Sequence, residues 1–290
     1  MDSSSLEATL RMAFEPLQFA VFVGTLVVLG ALESIPALGA DGAARRKRWP
    51  ANFALTAINV MLLGILPVGS LMVADVAASR DWGLLNQVAM PMSIALVASF
   101  LLRSLVSYGI HVAMHKVPWL WRLHRVHHTD TAMDISTAVR FHPLEFVVSV
   151  PAVLAATLVF GFPPLAVIIY SLVDAAMAVF SHANLRLPDR MERGVRLLLV
   201  TPAMHRIHHS ALQPETDSNY GATLSCWDRL FGTHRAKPAG ALASSQLGLA
   251  ECRDRRSDSL PWLLSLPFIR LKPQPIGWQD GGNNPTIMER

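Results

Sequence analysis

Taken as a pattern of apolar and polar positions, the chain alternates between long runs without charge and short segments that collect most of its Arg, Lys, Asp and Glu. Residues 17–38 are apolar apart from Glu33 near their end, and residues 49–74 carry no charge, although Pro67 and Gly69 interrupt them. Residues 88–102 form a third run and residues 146–173 a fourth. A hydrocarbon core about 30 Å thick needs roughly 20 apolar residues of helix, so the pattern predicts several crossings. The fourth run contains Gly161-Phe-Pro-Pro164, a break that helices rarely run through. It therefore predicts a hairpin, 146–160 going out and 164–180 coming back. The third helix is expected to continue past Arg103 for about two more turns, which carries His111 and His115 out of the membrane.

Composition supports this. Of 290 residues, 52% are hydrophobic and only 16% charged, and the mean hydropathy is positive, unlike an ordinary soluble domain. Residues 1–15 have no basic n-region, so no cleavable signal peptide is expected. The net charge of +4 does not imply nucleic acid, because the basic residues are confined to a few segments instead of interleaving with aromatics along one patch. The cluster Arg45-Arg46-Lys47-Arg48-Trp49 marks a cytoplasmic loop by the positive-inside rule. Residues 75–87, with one Arg against two Asp, are expected outside. Cys226 and Cys252 are too few for a disulfide framework or a Cys-rich metal site.

The remaining chemistry is histidine. Ten of the eleven histidines lie between His111 and His209, and eight sit at i, i+3 or i+4 spacing in tight groups: His111-x3-His115, His124-x2-His127-His128 and His205-x2-His208-His209. On a helix such spacings share one face. Thr201-Pro202 reads as an N-cap followed by Pro at the first helical position, which opens the helix of the last group. Unpaired imidazoles beside apolar spans are costly, so a metal site is expected. Eight or nine of them exceed one ion's coordination, so two ions are implied. Imidazole suits Zn, Cu, Fe and Ni alike, and the H-E-x-x-H arrangement of zinc proteases is absent because residues 112–114 include no Glu.

These three boxes, with Arg140-Phe-His-Pro-Leu-Glu145, Ser181-His-Ala-Asn184 and Trp227-Asp-Arg-Leu-Phe-Gly-Thr233, resemble the fatty acid hydroxylase/sterol desaturase superfamily, from about Asn52 to Arg235. The resemblance is greatest to its bacterial sterol desaturase family proteins. It implies an all-α, multi-pass transmembrane bundle with a cytosolic helical cap that holds a histidine-rich dimetal site. The implied cofactor is two Fe ions, with Zn possible as purified, ligated by His111, His115, His124, His127, His128, His182, His205, His208 and His209. Better-studied members have a further H-x3-H pair on the returning helix. Here only His182 matches and Ala178 takes the first position, which leaves one coordination position to water, substrate, Asn184 or Asp174. His142 is expected to cap a helix or to support the ligands. Asp130, Asp174 and Asp217 are candidates to orient ligand imidazoles through their N–H groups, with loop or cap roles as the alternative for Asp130 and Asp217.

The resulting expectation is an O2-dependent hydroxylase or desaturase of a membrane lipid, a fatty acyl chain, sterol or other isoprenoid. Electrons would come from a ferredoxin, cytochrome or reductase. The rivals are a zinc-dependent membrane hydrolase using the same histidines and a metal sensor or transporter. In domain terms, 1–16 is a lead, 17–235 the membrane enzyme domain, and 236–290 an extension with an interfacial segment at 260–268 and a flexible tail. The expected location is the bacterial inner membrane, with the histidines on its cytoplasmic face.

Overall fold

The computed structural model describes residues 3–35, 42–238 and 247–271; the tail expected from residue 273 lies outside them. Thirteen α-helices occur among these residues, with isolated bridges at Leu199–Leu224 and Ser210–Leu247. They are α1 (Ser3–Met12), α2 (Phe14–Glu33), α3 (Gly42–Gly64), α4 (Ser70–Ser79), α5 (Met92–Lys116), α6 (Pro118–His128) and α7 (Pro143–Phe160). Then follow α8 (Pro164–His182), α9 (Asp189–Val195), α10 (Pro202–His208), α11 (Gln213–Thr216), α12 (Cys226–Leu230) and α13 (Leu260–Ser265).

Four of these, α2, α5, α7 and α8, are long and apolar enough to cross a membrane. They make the protein a multi-pass integral membrane bundle. Helix α2 packs on α8, α5 packs on α7 and α8, and α4 packs on both arms of the α7–α8 hairpin. The hairpin turns where the sequence predicts. Gly161 ends α7 at φ 65° with its N–H donating to Thr157 O, and Pro164 starts α8 at a position that needs no N–H donor. A side chain is excluded at this tip, since a Cβ on Gly161 would lie 2.6 Å from the Trp82 carbonyl oxygen.

Residues 49–74 do not form the single span expected from their lack of charge. Helix α3 begins earlier, at Gly42, and takes in the Arg45–Arg48 cluster, then stops at Gly64. Chain direction is lost over residues 65–69, where Pro67 cannot donate and Gly69 is extended (φ −109°, ψ 165°) as the N-cap of α4. The apolar run is thus divided between two helices, neither of which is among the four long and apolar enough to cross a membrane. Asp75, expected in an external connector, lies within α4 and pairs with Arg11 of α1.

At the histidine end the bundle is tied by buried charge. Glu33, at the end of α2, accepts from the Ile135 and Asn184 backbone N–H groups (3.1 and 2.5 Å) and from Arg45 (2.9 Å). Arg48 of α3 reaches Asp130 (2.7 Å) and Asp134 (2.5 Å) in the loop after α6. Fully buried Arg140 donates to Asn52 Oδ1, Thr129 Oγ1 and Ser257 O, each at 2.6 Å. Each cation in this shielded region has a partner, as low dielectric requires. The segment expected to lie along the interface, α13 with the 3-10 turn Leu266–Phe268, buries Leu263 and Leu266 against Ala51, Leu55 and Val126. Its Phe268 points outward.

Candidate metal centre

Each histidine is delivered by the end of a helix. His111 and His115 close α5, one turn apart. Val117, extended because it precedes a proline, turns the chain sharply into α6, which returns His124, His127 and His128 to the same place. His182 is the last residue of α8. Thr201 caps α10 by accepting from the Met204 N–H, Pro202 occupies its first position, and the helix presents His205 and His208 with His209 as its C-cap.

The nine converge as two adjoining groups. One is His111, His115, His124, His128 and His208; the other is His127, His182, His205 and His209, and in each the possible ligand atoms lie within 4.8 Å of one another. The adjacent pairs divide between them. Neighbouring residues on a helix point about 100° apart, so His127 and His128 serve different groups, as do His208 and His209. All but His111 are buried.

Hydrogen bonds set the tautomers. His111 Nδ1 donates to Tyr220 O (2.7 Å), His182 Nδ1 to Ala178 O (2.6 Å) and His208 Nδ1 to Ser218 O (2.7 Å). A carbonyl can only accept, so each of these rings keeps its proton on Nδ1 and turns the Nε2 lone pair inward. His124 Nδ1 similarly faces Glu145 Oε1 at 2.8 Å. The inward nitrogens then crowd: Nε2 to Nε2 separations are 3.1 Å for His111–His124, 3.0 Å for His127–His182, 2.9 Å for His182–His205 and 3.3 Å for His205–His209. In the His111–His124 pair, where both Nδ1 atoms are engaged, two lone pairs face each other and cannot hydrogen-bond, but a cation shared between them resolves the repulsion. An ion with nitrogen ligands about 2.0–2.1 Å away spaces neighbouring nitrogens about 2.8–3.4 Å apart at octahedral to tetrahedral angles. The donor set therefore fits metal ions.

Other signs agree. Both nitrogens of His115 and His128, Nδ1 of His127, His205 and His209, and Nε2 of His208 are buried without a hydrogen-bond partner. Such orphans cost about 1–3 kcal/mol each unless a ligand satisfies them. Burial first, and neighbouring imidazoles second, hold His127, His128, His205 and His209 well below the usual histidine range. Burial likewise takes His208 down to about 3. Neutral imidazole is the form that binds metal.

The groups expected to support the ligands are placed differently from one another. His142 stays outside both groups, with Nδ1 accepting from the Leu144 N–H and Nε2 donating to Leu264 O (3.1 Å) as it caps α7. The Asp130 carboxylate is taken by Arg48, Asn52 and Thr137. Asp174 accepts from Thr223 (2.9 Å), and the Asn184 carbonyl oxygen accepts from Arg206. Only Asp217 approaches an imidazole, 3.5 Å from His115 Nδ1, and it is held more closely by Lys116 at 2.9 Å. The carboxylate that does orient a ring is Glu145, which sequence reasoning passed over. Three residues after the cap His142, it reads as an ordinary acid in a helix's first turn. A cavity of about 250 Å³ opens beside the histidines, lined by His111, His124, His127, His182, His205 and Ala178 among others.

The family model for fatty acid hydroxylase matches residues 96–233. The chain is 28% identical over 148 residues to the ornithine lipid hydroxylase OlsE of Rhizobium tropici, a match covering 51% of this chain and 44% of that protein. It is 28% identical over 130 residues to the alkylglycerol monooxygenase of Homo sapiens, covering 45% of this chain and 28% of the relative. With the cholesterol 25-hydroxylase-like protein of Danio rerio it shares 31% identity over 145 residues, 48% of this chain and 54% of the relative. The matched part thus spans about half or less of each relative. No solved structure matches. Residues 96–233 hold all nine converging histidines and the hairpin between them, and it is over this part, just under half of the chain, that the chain is similar to the fatty acid hydroxylase family.

Proposed function

We propose that the chain is an O2-dependent lipid oxygenase whose two histidine groups each hold an iron ion. The observation that carries this reading is the pair of groups, five and four imidazoles, with their inward nitrogens in mutual contact. Iron held there would supply O2 activation and attack on a C–H bond of the lipid. The chain's own residues would do the rest. Tyr220 O, Ala178 O, Ser218 O and Glu145 hold the rings in the tautomer that leaves Nε2 free. Met114, Phe141 and Val153 give the adjoining cavity apolar walls and keep water from the reacting carbon. The names of the relatives, two hydroxylases and a monooxygenase, favour hydroxylation over desaturation. Electrons would come from a separate ferredoxin, cytochrome or reductase. The basic residues Arg45 and Arg48, at the histidine end of the bundle, support by the positive-inside rule a reading in which that end faces the cytoplasm from a bacterial inner membrane.

The test is direct. Protein purified without added metal should carry two iron ions per chain and consume O2 when reduced in the presence of membrane lipid. Lipids from cells expressing the gene should include a species heavier by one oxygen atom, missing without it. Bound zinc with hydrolysed lipid and no O2 uptake would instead establish the hydrolase.

A further inference from the structure

Arg103 is the twelfth of the 25 residues of α5, at the middle of a span. A cation at that depth is expensive and marks function unless something neutralises it. Its guanidinium donates to Ser107 Oγ (2.6 Å) and lies 4.8 Å from the centre of the Tyr170 ring, and it forms no ion pair with any described residue. Asp174 on α8 is its counterpart. The Asp174 carboxylate accepts from Thr223 Oγ1 and likewise makes no ion pair among the described residues. Arg103 precedes His111 by eight residues and Asp174 precedes His182 by eight, so on these neighbouring helices both charges sit about 12 Å below the metal centre.

Both face the same open space. A cavity of about 600 Å³ is lined by Arg103, Tyr170 and Asp174, and it shares Ser149, Val153, Asp174 and Ala178 with the cavity beside the histidines. Tyr170 is held between the charged residues by hydroxyl contacts, to Ser107 at 3.2 Å and to Thr223 at 3.5 Å. A guanidinium offers a planar fork to a carboxylate or phosphate, and a carboxylate needs a cation or a donor. A purely anionic ligand would suit Arg103 and be repelled by Asp174; a neutral one would leave both unpaired.

We propose that this cavity selects a lipid with a zwitterionic polar end, its anion on Arg103 and its ammonium group on Asp174, so that a carbon within about 12 Å of the anion meets the metal centre. The inference rests on the oxygenase reading only in taking this cavity as the place where the lipid reacts. The anion could be a phosphate or a carboxylate, and the experiment separates them.

Purified full-length protein in detergent micelles would be titrated with four lipids and binding read by native mass spectrometry. These are phosphatidylethanolamine, a lipid bearing an amino-acid headgroup with free carboxylate and amine, phosphatidylglycerol and diacylglycerol. One or both zwitterions should bind at least about tenfold tighter than the other two, the scale of a charge-assisted hydrogen bond in a shielded site. The stronger of the two identifies the anion. Arg103→Met and Asp174→Asn should each erase the preference, while Arg103→Lys keeps part of it. Equal binding of all four lipids by the unaltered protein would overturn the inference even if a variant failed to fold. So would a preference that survives both charge removals. Binding is read without turnover, so loss of the preference while iron and O2 uptake persist would overturn this inference alone, and absence of iron and O2 uptake would overturn the oxygenase reading alone.

Discussion

The two histidine groups share α6 and α10 but are not built alike. The group of five takes rings from α5, α6 and α10, and three of its members are steered by named acceptors, Tyr220 O, Glu145 and Ser218 O. The group of four takes rings from α6, α8, α10 and the residue that caps α10, and one of its members, His182, is steered by a carbonyl, that of Ala178. Ala178 stands one turn before His182 and lines the cavity. A ring at that position would complete a fifth ligand; the methyl group leaves room. A fuller, better-braced set beside a leaner one at the cavity wall suggests a division of labour. One ion would be held, and the other would keep a coordination position facing the lipid.

The largest expected effect tests that contrast. His205→Ala takes one of only four rings and should lower bound iron from two per chain to about one, with product falling at least about 10³-fold, as when a member of a concerted catalytic unit is lost. His115→Ala removes one of five, and its ring nitrogens make no hydrogen bond within the protein, so iron should stay closer to two. Metal analysis of the two variants side by side decides it. Equal iron loss from both would mean that the groups do not differ in reserve.

The contrast was not legible in the sequence, although the histidines were. Spacing at i, i+3 and i+4 reports a shared helix face, and Gly161-Phe-Pro-Pro164 and Thr201-Pro202 report ends, because these are local steric facts. Which ion each ring of His127-His128 or His208-His209 faces depends on how α6 and α10 cross, which no local pattern contains. The acceptors were hidden for a related reason. Three are backbone carbonyls, which carry no residue signature, and Glu145 looks like any acid near a helix start. The uncharged run 49–74 misled in the opposite way. Hydropathy recorded its apolar character but not the missing donor at Pro67, and α4 finds its partners in α7, α8 and, through Asp75, α1.

A smaller effect sharpens the comparison within the five-membered group. Glu145→Gln keeps the side chain's shape and removes the charge that fixes His124, whose Nδ1 it meets at 2.8 Å. Loss of such a partner lowers metal affinity or activity about 10- to 100-fold. If His124 serves the braced ion, iron retention against a chelator should fall for one ion of the two and the other should keep its original release rate. A uniform change in both rates would mean that the groups act as one site.

The smallest effect belongs to the histidine just outside both groups. His142 caps α7, and losing an N-cap costs about 1 kcal/mol. His142→Ala should therefore lower the melting temperature slightly while iron content stays unchanged. Burial holds the imidazole below its usual range, against the opposing pull of the Leu264 carbonyl and Glu145. A folded-state value below the unfolded one means that the unfolded chain binds the proton more readily. The cap's contribution is thus complete above the unfolded value, about 6.5, and is lost as pH falls below it toward the folded value. Melting curves of metal-free protein should show the gap between His142→Ala and the unaltered chain closing as pH is lowered through that window. A gap independent of pH would mean that ring packing, not the lone pair on Nδ1, supports the start of α7, and iron loss in this variant would move His142 into the metal centre.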